Sequence, residues 1–138
     1  MHDRKKDSPS FRRNIAPLTA KFRELLGNEK LQVLEIGSGT GQHAVALAQE
    51  FPELIIQPTD AVAENLESID AWIAETAVSN VKHAQLLDVT SPGSFKDDPQ
   101  KHDVILCFNV IHITPWKVTE ALFEFASHTV RRGGRLFL

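Results

Sequence analysis

Cysteine is almost missing from this chain: Cys107 stands alone among 138 residues. A disulfide within the chain and a cysteine-cluster metal site are both excluded, and a reducing compartment fits. Long apolar runs are missing as well. Uninterrupted ones stop at stretches such as Val104–Phe108, far short of the roughly 20 residues that a membrane span needs. No internal repeat, linker or low-complexity stretch divides the sequence. Glycine and proline number only 7 each, and charged residues make up 24%, so a collagen-like rod, a disordered tail and a coiled coil are excluded. At 15.4 kDa the chain has room for one domain with a sizeable core.

Basic residues are also in slight deficit, 15 against 18 acidic, for a net charge of −3. No basic stripe interleaved with aromatics marks a nucleic-acid surface. The charge is uneven, however: residues 1–30 carry 8 Lys/Arg against 4 Asp/Glu, and the rest 7 against 14. The basic arm either favours an anionic partner or is a solvated mobile terminus; the second is the expectation. Arg4-Lys5-Lys6 precedes no apolar stretch, so no secretory signal is read and a cytoplasmic protein without a membrane partner is expected.

What is present is an alternation. Residues 1–16 are polar and form an N-terminal arm broken by Pro9; a domain follows over 17–138. Pro17 can open a helix carrying Leu18, Phe22, Leu25 and Leu26 at helical spacing, ended by Gly27. Leu31–Ile36 reads as a buried strand and His43–Phe51 as a helix closed by Pro52. Leu54–Gln57 is a second strand ending in Pro58-Thr59-Asp60, and Glu64–Ala77 a helix with Leu66, Ile69, Trp72 and Ile73 inward. Ala84–Val89 is a third strand, residues 91–102 a loop or short helix, and Val104–Phe108 a central fourth strand. Thr119–Val130 is helical, Arg131–Gly134 a turn, and Arg135–Leu138 starts a fifth strand. Strands joined through helices need crossover connections, and apolar strands rather than alternating ones imply burial on both faces. The expected fold class is therefore α/β, an open doubly wound parallel sheet, with ligands at the carboxyl ends of its strands.

The strongest motif sits there: Glu35-Ile36-Gly37-Ser38-Gly39-Thr40-Gly41-Gln42-His43, between the first strand and its helix. Glycines at such a turn allow positive φ and let a ligand approach the main chain. The spacing is Gly-x-Gly-x-Gly, because position 42 is Gln rather than the glycine of the dinucleotide fingerprint. Glu35 would repel a pyrophosphate but suits an ammonium group. Asp60, 19 positions after Gly41 at the end of the second strand, can accept from ribose hydroxyls. Asp88 ends the third strand, where its carboxylate and the Val89 N–H can read an adenine edge. Each acid alone equally suits a helix cap or a solvated loop. Three at successive strand ends describe an adenosine with a cationic amino-acid tail, S-adenosylmethionine.

Glu35–Gly41 resembles motif I of the class I, Rossmann-like S-adenosylmethionine-dependent methyltransferases. Leu34–His43, Gln57–Asp60 and Leu106–Trp116, which includes Asn-Val-Ile-His-Ile-Thr-Pro-Trp, resemble a narrower methyltransferase-like family of unknown substrate. Arg13-Asn14 with Pro17, and Ser68-Ile69-x-Ala71-Trp72, match the same family. The resemblance implies a sheet of about five strands in the order 3-2-1-4-5, with Glu35, Gly37, Ser38, Gly39, Thr40, Gly41, Asp60, Asp88, Val89 and Asn109 around the cofactor. It places the transferred methyl beside Asn109 and His112. His112 is the candidate base where the acceptor must lose a proton, and Asn109 a positioner. Trp116 walls the pocket or is core. His43 touches the cofactor's carboxylate edge or packs on the N-terminal segment, and Arg13, where it folds back, pairs with the cofactor's carboxylate or with an anionic acceptor. No metal is implied.

The expected activity is methyl transfer to an unidentified small-molecule acceptor; the alternative is a cofactor-binding but inactive interaction subunit. The family continues past the fifth strand into an antiparallel hairpin, so the chain looks shortened. An open fifth strand would then offer an edge for self-association.

Overall fold

The computed structural model describes residues 3–94, 101–108 and 110–138. Its elements in chain order are α1 (Pro9–Leu26), β1 (Leu31–Glu35), α2 (Gln42–Glu50), β2 (Leu54–Asp60), α3 (Ala63–Thr76), β3 (Gln85–Leu86), β4 (His102–Leu106), α4 (Trp116–Thr129) and β5 (Val130–Phe137). The strands form one parallel sheet in the order β3-β2-β1-β4-β5. Strand order reverses between β1 and β4, so the crevice of a doubly wound sheet lies beyond their carboxyl ends.

Alternation of side chains along the central strands builds two cores. Val33, Val104 and Leu106 face α1 and α2, packing with Phe22, Leu26, Ala44, Leu47 and Ile56. Leu34, Ile105 and Cys107 face the other way, onto Leu122, Phe125 and Ala126 of α4. The doubly apolar strands thus bury both faces, as their sequence requires. No helix among the described residues is long and apolar enough to cross a membrane.

Most boundaries shift by up to three residues, and three differences from expectation have an identifiable cause. α1 begins at Pro9, not Pro17: Ser8 is its N-cap, Pro9 takes the first turn, and Pro17 lies inside the helix. A proline at the first turn is tolerated because its missing N–H would be unpaired anyway. β3 shrinks from Ala84–Val89 to Gln85–Leu86. Ile56 bonds toward it through Asn80 and Lys82, and Leu87 N–H reaches Asp60 C=O at 3.0 Å. Pro58, between those points on β2, has no N–H to give. The Gln57 amide fills the gap instead, donating to the carbonyls of Pro58 and His83 at 2.9 and 2.8 Å. Finally, the expected turn Arg131–Gly134 lies within β5, which starts at Val130. Between the His102–Val130 and Val104–Arg135 pairs, β4 advances two residues and β5 five, so the turn is accommodated as a bulge.

Candidate functional site

The segment after β1 climbs over the carboxyl edge of the sheet. Ile36 N–H donates to Leu106 C=O at 2.8 Å, and Ser38 N–H to Thr59 C=O at 2.8 Å. These bonds tie the loop to both neighbouring strands. Gly37, Gly39 and Gly41 all have positive φ, between 59° and 94°. A Cβ on Gly37 would meet Val110 Cγ2 at 2.6 Å, which fixes the loop after β4 directly against the glycine loop. Gly39 differs: a Cβ there would meet nothing within 4 Å. Its face is the open side of the cradle.

Glu35 lies beneath that loop and is only 2% exposed. Burial pushes its carboxyl up to about 7 from an ordinary 4.5, with a hydrogen bond from Ser38 opposing and the Asp60 charge adding to the rise. Its Oε1 is buried without a hydrogen-bond partner. A buried oxygen left unpaired costs about 1–3 kcal/mol, so this atom fits a site completed by a cationic ligand. The charge also reaches Cys107, whose thiol is held at about 12 mainly by burial and secondly by Glu35.

Asp60 is also buried, 6% exposed. Its Oδ2 accepts from Gly39 N–H at 2.8 Å, and its Oδ1 from Val62 N–H at 2.9 Å and Asn65 Nδ2 at 3.1 Å. A carboxylate offers about four acceptor sites, so roughly one remains, on Oδ2, to accept from a further donor. Asp60 therefore anchors the glycine loop itself. Asp60→Ala is expected to lower unfolding stability by about 1–3 kcal/mol in a urea titration, because the Gly39 and Val62 N–H groups lose their partner.

Asp88 is exposed beyond β3. Its Oδ1 accepts from the Thr90 hydroxyl and N–H at 2.5 and 2.9 Å. Those bonds stabilise the carboxylate and lower its pKa below the ordinary value. Val89, beside it, packs on the α4-side core. His112 is exposed in the turn leading to α4, where Ile113 N–H bonds Val110 C=O at 3.2 Å. Trp116, at the start of α4, is 68% exposed and so is not core. Asn109 falls outside the described residues. The glycine loop, Glu35 and Asp60 are brought together; Asp88, Val89 and His112 follow the ends of neighbouring strands at the same rim.

His43 takes the packing alternative. Its ring meets Phe11 of α1 edge-on at 5.2 Å and Phe108 at 5.8 Å, and burial lowers its basicity. Arg13 is exposed on α1. Sequence reasoning missed Gln42 and Ser68, which are 5% and 0% exposed and bind both the arm and Thr40. The available signal was a polar side chain on the inward stripe of each helix.

Solved structures share this architecture. The PH0226 protein of Pyrococcus horikoshii matches with a TM-score of 0.80 and 14% identity, over 95% of this chain and 59% of that one. The S-adenosylmethionine-dependent methyltransferase SibL, in its apo form, gives 0.74 and 26%, over 92% and 35%. Coclaurine N-methyltransferase bound to N-methylheliamine and SAH gives 0.70 and 19%, over 96% and 37%. This chain spans between 23% and 59% of the solved chains it matches. The sheet order and helical layers are those of the Rossmann-like class I methyltransferase fold. A family model described as a protein of unknown function matches residues 5–138, and the chain belongs to that family, DUF938.

Proposed function

We propose that this chain binds S-adenosylmethionine at the carboxyl rim of β1, β2 and β3 and transfers its methyl group to a small-molecule acceptor. The observation that carries the reading is Glu35 Oε1, a buried and unpaired carboxylate oxygen under a glycine loop whose Gly39 face is open. When bound, S-adenosylmethionine supplies a methyl on a positively charged sulfur, given up by in-line displacement. Glu35 anchors the ammonium. Gly39 allows close approach of the main chain, and Asp60 Oδ2 takes one ribose hydroxyl. Asp88 Oδ2, left over by Thr90, and the Val89 N–H read the adenine edge. Alignment of an acceptor over this rim and exclusion of water are what the reaction chiefly requires. His112 accepts a proton only from acceptors that must lose one, and Asn109 positions the acceptor.

Protonation of Glu35 gives the test. An ammonium is held by the carboxylate, so a bound cation must displace the proton that Glu35 carries below about 7. Affinity therefore rises with pH through that value and then levels off. Calorimetric titration with S-adenosylhomocysteine is expected to show binding about eightfold weaker near pH 6 than near pH 7.5, with proton release visible across buffers of different ionisation enthalpy. Absence of binding would overturn the cofactor reading, and binding without pH dependence would remove Glu35 from the ammonium. The exposure of His112 favours one second reading, a cofactor-binding subunit that does not turn over. Conversion of S-adenosylmethionine to S-adenosylhomocysteine with a mixed acceptor pool separates the two.

A further inference from the structure

The N-terminal arm, expected to be a solvated terminus, lies along α3. Lys6 N–H donates to Ser68 Oγ at 2.8 Å, and Lys6 C=O accepts from Trp72 Nε1 at 2.9 Å. Lys5 Nζ meets Glu75 at 2.6 Å and stands 4.9 Å over the Trp72 ring. Lys6 Nζ reaches Asn65 at 2.9 Å. Lys5 thus finds an acidic partner within the chain and Lys6 an amide one.

Two buried side chains carry this contact onward. Ser68 takes the arm's N–H and donates its own hydroxyl to Thr40 C=O at 2.7 Å. Gln42 Oε1 accepts from Ser8 N–H at 2.8 Å and from Thr40 Oγ1 at 2.9 Å, while its Nε2 donates to Asp7 at 2.9 Å. Thr40 sits between Gly39 and Gly41. It is gripped at both its carbonyl and its hydroxyl, and each grip also holds the arm.

We propose that docking of residues 3–8 sets the conformation of the glycine loop, with Gln42 and Ser68 as the positioning residues, so that arm docking and cofactor binding strengthen one another. The second half rests on the cofactor reading above; the first does not. The arm is held by a few exposed ion pairs, each weak in water, and by hydrogen bonds to Ser68, Trp72 and Gln42. Such a segment opens far more readily than the core. A loop ordered by the docked arm needs less ordering by a ligand. By reciprocity the ligand must stabilise the arm by the same factor.

The full chain is tested by hydrogen exchange and calorimetry. Trp72→Phe combined with Glu75→Gln loosens the arm without touching Ser68, Gln42 or Thr40, and Lys6→Pro removes the N–H that Ser68 accepts. In the ligand-free chain both variants are expected to speed exchange of the hydrogen-bonded Gly39, Gly41 and Gln42 amides by about fivefold or more. Unchanged loop exchange in Lys6→Pro, or in the double variant once Ser8 exchanges faster, would overturn the proposal. With S-adenosylhomocysteine, both variants should bind about fivefold or more weakly, and saturating ligand should slow Ser8 exchange in the unaltered chain by the same factor. Adding Gln42→Ala to Lys6→Pro should weaken binding less than the two single losses summed; strict additivity would argue for general destabilisation and against the linkage. Failure of the unaltered chain to bind S-adenosylhomocysteine would sink the cofactor reading, while the ligand-free exchange still judges the arm.

Discussion

Glu35→Gln is expected to stabilise the ligand-free chain by about 3 kcal/mol near pH 8 while abolishing most of its affinity for S-adenosylhomocysteine. The sign follows from the direction of the shift. An ordinary carboxyl loses its proton near 4.5, whereas Glu35 in the fold keeps its proton to about 7. Between those values the folded chain binds more protons than the unfolded one, so stability falls as pH rises. Above about 7 the full penalty of holding a buried carboxylate is present. Each pH unit of difference is worth about 1.4 kcal/mol, which gives the figure. A neutral amide of the same shape removes that penalty and imitates the protonated acid. Near pH 5 the two chains should differ by only about 1 kcal/mol, since Glu35 is then neutral in the fold. Urea unfolding at both pH values checks this: a gain that does not shrink on acidification would mean that Glu35 is not buried as a charge. Loss of ligand affinity in the more stable variant is the signature of a residue kept for binding rather than for folding.

The same residue shows what could be read before the structure. Glu35 stood out because a carboxylate two residues before the glycine loop would repel a pyrophosphate but suits an ammonium group. The two faces of the sheet were legible as well: Val104–Phe108 is apolar at both parities, so it must be central. Element types follow from such local patterns, and every strand and helix between Leu31 and Thr129 was placed within three residues, although β3 has only a third of its expected length. That strand failed because its length depends on its neighbour. Pro58 on β2 withholds a donor, and nothing within Ala84–Val89 records this. The arm failed for a similar reason. Its polar, basic composition reads as solvated, yet Trp72, Glu75 and Ser68, more than sixty residues along the chain, supply its partners. Asp60 was found as a site residue, but its bond to Gly39 N–H was not, because contacts across a loop carry no periodicity. Residues whose role is local were visible; residues whose role is to join distant segments were not.

The glycine loop separates folding from binding at positions two residues apart. Gly41→Ala is expected to cost about 3 kcal/mol or more, from two sources that add. Gly41 has φ +94°, a conformation that a side chain opposes, and its Cβ would come within 2.7 Å of Ile69 Cα. That neighbour is the backbone of α3, fully buried at Ile69, so no side-chain rotation relieves the overlap. α2 and α3 must separate, which loosens the core beneath them. Gly39→Ala meets no such obstacle: φ is +59° and nothing lies within 4 Å of the added carbon. Its cost is conformational strain alone, about 1–2 kcal/mol. The consequences for binding reverse. At Gly39 the methyl group projects into the open face where the main chain would meet the cofactor, so affinity for S-adenosylhomocysteine should fall about a hundredfold or more while the chain stays folded. Thermal unfolding should show Gly41→Ala lowered on the order of 10 °C and Gly39→Ala much less. Retained affinity in a folded Gly39→Ala chain would mean that no ligand approaches the loop from its open side, and would move the binding site elsewhere along the rim.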